Sequence, residues 1–453
     1  MKDLTKGYPA KVIALFALPL IFGNIMQQLY NITDSKIVSE YINSQALAAV
    51  GSTAIISNTL IGFINGLTQG FGILVARSFG QKEFGLLRRY IAGTVKLTAA
   101  ATVILTAVSE LFIKKFLILL RTPVDIQQSA TEYVRIILAG IIFISIYNMC
   151  ANILRSVGDS KKPLICLIIS IFVNIGLDLL FILKFDMGIK GAAYATIISQ
   201  AVSAFCCLMV IIVKYKDLIP RKEEWKLSKK QYTGLLAQGA SMGFMGCIVN
   251  IGSIILQSAI NNLGTEYVTA HISGRRVFDI MMIMIFTFGL AMTTYVSQNL
   301  GAGQYGRIRQ GIRHVLLIDT VMASLLVVFA YTAGDDIVRW IASTDNPEIL
   351  NSGVKYIQIG VWFFYVLGPL FILRCSLQGM GQKIVPLISS GLELAIKILS
   401  AFFIVPRLKY MGVILTEPIS WVVMIIPLII VYIIKRPGEN MENRCCQFPW
   451  ESK

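Results

Sequence analysis

A chain of 453 residues, 55% hydrophobic and only 15% charged, with a mean hydropathy of +0.70, is too apolar to be a water-soluble globule. Apolar stretches of about 20 residues recur along it, each long enough to cross a hydrocarbon core of roughly 30 Å as a helix, and the short alternating segments of a barrel are missing. The net charge of +16 follows topology rather than a nucleic-acid surface: with the N terminus inside, Lys and Arg gather in the cytoplasmic segments, which puts both termini in the cytoplasm of a multi-pass plasma membrane protein.

Twelve helical spans are predicted, at 10–36, 45–73, 90–113, 130–154, 163–184, 190–213, 234–260, 270–298, 313–332, 353–375, 384–405 and 411–434. The first continues past 20 residues without an Ala-x-Ala cleavage site, so it reads as a retained helix. It contains Pro19, whose missing N–H can bend the helix, making Pro19 a candidate hinge for the segment that ends in Asp34. The fifth span carries Asn174 and Asp178 at i, i+4 spacing, hence on one face, and Thr196 lies at a similar depth on the sixth. Residues 214–233 form a basic cytoplasmic linker with Lys214, Lys216, Arg221, Lys222, Lys226, Lys229 and Lys230, read as a solvated anchor. The eighth span bears Arg275, Arg276 and Asp279 beside Met281, Met282 and Met284, and the eleventh bears Glu393 and Lys397, four apart and read as a mutually neutralising pair. Cys150, Cys166, Cys206, Cys207, Cys247 and Cys375 fall in spans, with Cys445 and Cys446 in the tail, a pattern that favours neither disulfides nor zinc.

An internal repeat organises these spans. Phe79-Gly80-Gln81-Lys82-Glu83-Phe84-Gly85 returns as Leu300-Gly301-Ala302-Gly303-Gln304-Tyr305-Gly306, 221 residues later. Arg155-Ser156-Val157-Gly158-Asp159 with Pro163-Leu164 aligns with Gln378-Gly379-Met380-Gly381-Gln382 and Pro386-Leu387, and Met187-Gly188-Ile189 with Met411-Gly412-Val413. Six spans separate equivalent points, so the halves insert in the same orientation. The predicted fold is therefore an all-α polytopic membrane protein, with twelve transmembrane helices in two pseudo-symmetric six-helix bundles, a parallel repeat around a central cleft. Its parts are an N-lobe at 1–213, the linker at 214–233, a C-lobe at 234–434 and a cytoplasmic tail at 435–453.

The motifs Tyr30-Asn31-Ile32-Thr33-Asp34, Ala46-Leu47-Ala48-Ala49-Val50-Gly51, Leu154-Arg155-Ser156-Val157-Gly158-Asp159, Leu177-Asp178, Gly191-Ala192-Ala193 and Gln298-Asn299-Leu300-Gly301-Ala302-Gly303 resemble the multidrug and toxic compound extrusion (MATE) family from the first span to the last. The resemblance implies cation-coupled export of amphipathic, often cationic compounds. Lys36 stands where the family more often has an apolar residue, and Leu179 where a proline commonly follows the aspartate.

An intramembrane carboxylate costs roughly 2.5 to 3.5 kcal/mol to insert and calls for an explanation. Asp34, Asn174, Asp178 and Thr196 supply hard oxygen ligands suited to a proton or sodium, and two carboxylates held close would share a cation. Resemblance to the DinF-like branch assigns the cation-coupling site to these four. At the aligned second-half positions, about Ile255, Lys397, Ala401 and Ser420, that site is missing. Tyr30, Arg275, Asp279, Met282, Glu393 and Lys397 are candidates for the substrate cleft. No metal is expected other than sodium at the coupling site, no cofactor beyond the coupling ion H+ or Na+, and no nucleic acid; a monomer binding a small-molecule substrate in a lipid bilayer is expected.

Two other functions compete. A lipid-linked saccharide flippase would line its cleft with cations for a diphosphate, for which Arg275, Arg276 and Lys397 are available. An intramembrane enzyme fails on inventory: His271 and His314 are the two histidines and lie at opposite membrane faces, and no nucleophile elbow or zincin motif occurs. Without a Walker sequence, direct ATP use is also disfavoured, leaving an ion gradient as the energy source.

Overall fold

The computed structural model describes residues 2–42, 44–119, 123–342, 344 and 346–435, which are helical throughout, with no strand among the described residues. The first half comprises α1 (Pro9–Tyr41), α2 (Ser44–Gln81), α3 (Phe84–Leu119), α4 (Val124–Ala139), α5 (Ile141–Ser156), α6 (Lys161–Leu179) and α7 (Gly188–Lys214). The second comprises α8 (Lys229–Asn261), α9 (Thr265–Gly301), α10 (Tyr305–Thr332), α11 (Gly334–Ala342), α12 (Pro347–Trp362), α13 (Phe364–Gly379), α14 (Ile384–Leu399), α15 (Val405–Leu408) and α16 (Tyr410–Ile434). Among the described residues, ten helices are long and apolar enough to cross a membrane, or twelve spans if α4 with α5, bent by 42°, and α12 with α13, bent by 54°, each count as one. Several helices overrun their predicted spans, α2 reaching Gln81 and α3 beginning at Phe84, because hydropathy marks the lipid thickness whereas helical hydrogen bonding continues into the interface. The motif residues Ala46 and Leu47 have side chains outside the description, as do Cys445, Cys446 and the tail from residue 436 on.

The repeat seen in sequence is a repeat of helix ends. In each half, two helices close with the N–H of the second residue past the cap bonding back five residues: Glu83 to Ser78 and Asp159 to Leu154 in the first, Gln304 to Asn299 and Gln382 to Leu377 in the second. Such a closure needs a left-handed residue. Gly158 (φ 82°) and Gly381 (φ 84°) supply it at equivalent places, where glycine has no Cβ to oppose it. Asp186 (φ 48°) and Lys409 (φ 50°), again 223 apart, close the fifth spans after a π turn in each half, Leu180–Lys184 and Ser400–Ile404. The bends fall at Gly140 and Phe363, the same offset once more. At Gly140 an added Cβ would come within 2.3 Å of the Ile197 side chain, so the absence of a side chain is what seats α7 against the break.

The described residues group into two compact units. One takes in Leu18–Cys247 with Lys2 and Asp3; the other takes in Leu4–Ala17 and the residues from Ile248 on. Helix α1 therefore gives its first turns to the second unit, changing over just before Pro19, and α8 gives its first half to the first unit. The two exchanged helices are repeat equivalents. Within the first unit, α8 lies against α2 backbone to backbone: a Cβ on Gly66 would sit 2.5 Å from the Met242 carbonyl oxygen, and one on Gly70 2.5 Å from that of Gln238. Small residues permit such an approach.

The basic linker keeps its seven cations exposed, as a solvated anchor does, and docks through other residues. Its turns Lys216–Leu218 and Lys222–Trp225 bury Leu218 completely and seat Glu224 against α3, where Arg88 Nε reaches both carboxylate oxygens at 2.8 Å. The Arg88 hydrogen bond holds the Glu224 carboxyl below the usual carboxylate range. Lys96 donates to the Trp225 carbonyl at 2.8 Å with its ammonium 5.8 Å over the indole, and Tyr215 donates to Asp159.

Candidate functional site

Beyond Lys161 and Lys162 at its start, helix α6 is apolar except for one stripe. Ser170, Asn174 and Asp178 recur every fourth residue, so all three face inward, and all are at most 3% exposed. Opposite them α7 presents Thr196, Ser199 and Gln200, and α1 presents Gln27, Tyr30 and Asp34; six of these residues, Gln27, Tyr30, Ser170, Asn174, Ser199 and Gln200, line one small cavity of the first unit. With its amide nitrogen turned toward Asp178, Asn174 donates to Asp178 Oδ2 at 2.9 Å while its oxygen accepts from the Thr196 N–H at 3.2 Å. The Thr196 hydroxyl donates to the Ala192 carbonyl at 3.0 Å and shares a hydrogen bond with Tyr30.

The Asp34 and Asp178 carboxyls lie within hydrogen-bonding reach of one another. Ionised carboxylates only accept, so the two groups repel when both are charged and attract when a proton or another cation lies between them. One oxygen of each, Asp34 Oδ1 and Asp178 Oδ1, is buried without a protein donor. The four predicted coupling residues and Tyr30 are thus brought into one cluster, with Tyr133 of α4 close enough to feel both carboxylates. Sequence reasoning missed Tyr133 together with Gln27, Ser170, Ser199 and Gln200; the fourfold spacing of Ser170, Asn174 and Asp178 was the available signal for one of them. Pro19 sits within a continuous α1.

The remaining candidates are in the second unit and do not join that cluster. Arg275 of α9 donates through Nε to Asp279 at 2.7 Å and through Nη1 to Glu417 of α16, whose other oxygen accepts from Tyr356 at 3.3 Å. Lys397 and Glu393 pair on α14 at 2.8 Å, both at most 7% exposed, with Ser253 at 3.4 Å from the ammonium. The expected pairing of Glu393 with Lys397 is present, and Arg275 pairs with Asp279 one turn away. Met282 is 5% exposed and packs into the core. No group of three or more His, Cys, Asp or Glu side chains able to hold a metal occurs among the described residues, and the six cysteines of the spans are free thiols.

A family model described as MatE matches residues 19–180 and 242–403, one stretch in each half. The chain belongs to the MatE family. As a MatE protein it is a multi-pass membrane transporter and not an enzyme, which removes the intramembrane-enzyme reading. It is similar to the probable multidrug resistance protein YpnP of Bacillus subtilis (strain 168), 28% identical over 385 residues that make up 84% of this chain and 85% of that one. It is also similar to the probable multidrug resistance protein YoeA of the same strain, 25% identical over 424 residues, 91% and 90% of the two chains. Among solved structures, the outward-facing conformation of a multidrug resistance MATE family transporter of the MOP superfamily aligns with a TM-score of 0.86 over 95% of this chain and 98% of that one, at 20% identity. That likeness is one of fold.

Proposed function

We propose that this transporter is a secondary active multidrug exporter of the plasma membrane, a monomer with both termini cytoplasmic, which exchanges protons or sodium for amphipathic, cationic compounds by alternating access. The observation that carries the reading is the carboxyl pair of the first unit: Asp34 and Asp178 in mutual reach, one oxygen of each without a donor, and Asn174 and Thr196 fixing their geometry. Such a pair binds a cation more tightly when closed than when water can enter, so an external cation biases the conformational equilibrium by its differential affinity. Oxygen donors alone suit H+ or Na+ equally. Pro19, next to the point where α1 changes units, is the residue whose missing N–H lets that helix bend as Asp34 changes partner. The names of the relatives supply the cargo class and the four-residue site follows the DinF-like branch. Arg275 and Lys397 are already matched by carboxylates, which leaves less cation for the diphosphate of a lipid-linked saccharide.

The test is efflux of ethidium from proteoliposomes holding the purified full-length protein, under an imposed proton or sodium gradient. Asp178→Asn or Asp34→Asn should abolish gradient-driven efflux while the protein remains folded, and the gradient that works names the ion. Efflux indifferent to both substitutions refutes the coupling site.

A further inference from the structure

Asp319, on α10, is a carboxyl of the second unit that the proposed coupling site does not use. It is 3% exposed, and Oδ2 is buried with no hydrogen-bond partner. Four helices pack against α10, namely α9, α11, α12 and α13, and none brings a charged side chain into hydrogen-bond or ion-pair contact with it among the described residues. Arg374 of α13 is bonded to Ser390, and Lys355 of α12 is exposed.

The carboxyl has a seat made for it. A Cβ built on Gly368 of α13 would fall 1.7 Å from Oδ2 and 2.3 Å from Oδ1, so the group occupies the place that any other residue at 368 would fill. The next residue, Pro369, has no N–H and leaves the Tyr365 carbonyl, four residues back, without its helical donor. A neutral carboxylic acid carries the O–H donor that such a backbone accepts; an ionised carboxylate here would be an uncompensated charge beside helix carbonyls, far costlier than an unpaired polar group. The seat also lies five residues beyond the 54° bend between α12 and α13.

We propose that Asp319 is a proton-binding site of the second unit, its acid form packed over Gly368 and its proton exchanged when α10 and α13 part. Loss of the proton makes the packed arrangement unfavourable, so occupancy of this site and closeness of the two helices are linked. The site stands apart from the carboxyl pair of the first unit and holds whether or not that pair drives transport.

Infrared difference spectroscopy on the full-length protein in lipid bilayers tests it, in an Asp34→Asn/Asp178→Asn background that silences the first unit. A protonated carboxyl gives a C=O stretch above the amide I band. The expected result is an acid band that fades as pH is raised, with the loss of one proton per chain, and that vanishes when Asp319→Asn is added. If Asp319→Asn does not fold, Gly368→Ala serves instead, since its methyl must displace the carboxyl and shift the band. No band dependent on Asp319 overturns the proposal, because the group is then ionised. A band that persists unchanged into strong base also overturns it, because the proton is then locked and not exchanged.

Discussion

Replacing Gly66 by alanine tests how α8 is held in the first unit. The new methyl would meet the Met242 carbonyl oxygen at 2.5 Å, and ordinary contact begins near 3.4 Å, so α2 and α8 must part by roughly 1 Å. The obstacle is backbone fixed by its own helix, which cannot rotate away as a side chain tip could. Overpacking of this kind costs about 1 to 3 kcal/mol, against about 1 kcal/mol gained because alanine favours a helix over glycine. Gly51→Ala, on the same helix with nothing within 4 Å of its Cβ, receives the gain alone. The two variants should therefore differ by the overlap, about 1 to 3 kcal/mol, which for a unit of this size is a melting temperature roughly 2 to 12 °C lower for Gly66→Ala. Adding Gly70→Ala should cost less than its single effect, since one displacement relieves both clashes. Thermal unfolding of the purified variants in detergent, followed by static light scattering and intrinsic fluorescence, provides the measurement. Equal melting of Gly66→Ala and Gly51→Ala would show that the helix backbones are not in contact.

Arg88→Ala removes both bonds to Glu224 and should release the linker, at a cost of about 2 kcal/mol for a charge-assisted pair, seen as faster amide exchange over residues 216–227 with the spans unchanged. Because Glu224 titrates below its unfolded value near 4.3, its contribution to docking is complete above that pH and disappears as pH falls through the lower folded value. The wild-type linker should thus stay protected at neutral pH and exchange faster only below about pH 4. Lys397→Ala leaves Glu393 buried without its cation and should destabilise the protein by about 3 to 5 kcal/mol, whereas Glu393→Leu with Lys397→Leu should melt close to wild type. A single and a double substitution of equal severity would contradict that assignment.

Much of the fold could be read from residues because local rules and membrane rules agree. Hydropathy located the spans, and the Gly158 and Gly381 turns marked the repeat, since a left-handed cap leaves a local signature. The pairing of Asn174 with Asp178 followed from helix periodicity alone. What stayed hidden depends on distant partners. Arg275 and Glu417 meet across 142 residues. The exchange of the α1 and α8 segments is a property of packing, to which periodicity is blind. The linker's seven cations are exposed as its composition suggests, but its docking contacts through Leu218, Glu224 and Trp225 stayed hidden behind that composition.

The equivalent positions of the two halves agree in backbone where they differ in charge. Turns, bends and π segments recur at an offset of about 223 residues, so the helical frame of each unit is set by the same caps and breaks. On that frame, Asn174 of α6 corresponds to Lys397 of α14, and the two environments are of opposite kind. The first unit gathers two carboxyls, an amide and hydroxyls, and none of the cluster's members supplies a positive charge; on the proposed reading its electrostatic balance comes from a cation that arrives. The second unit puts an ammonium at the equivalent place and matches it with Glu393 one turn away, so its balance is internal and permanent. A buried pair of this kind resists exchange because removing either partner strands the other, whereas two carboxyls with unpaired oxygens change energy each time a cation enters or leaves. The divergence at one repeat position thereby separates a responsive site from a fixed pair. Asp319, whose Oδ2 has no hydrogen-bond partner among the described residues, is where the proposed proton site gives the second unit a response of its own.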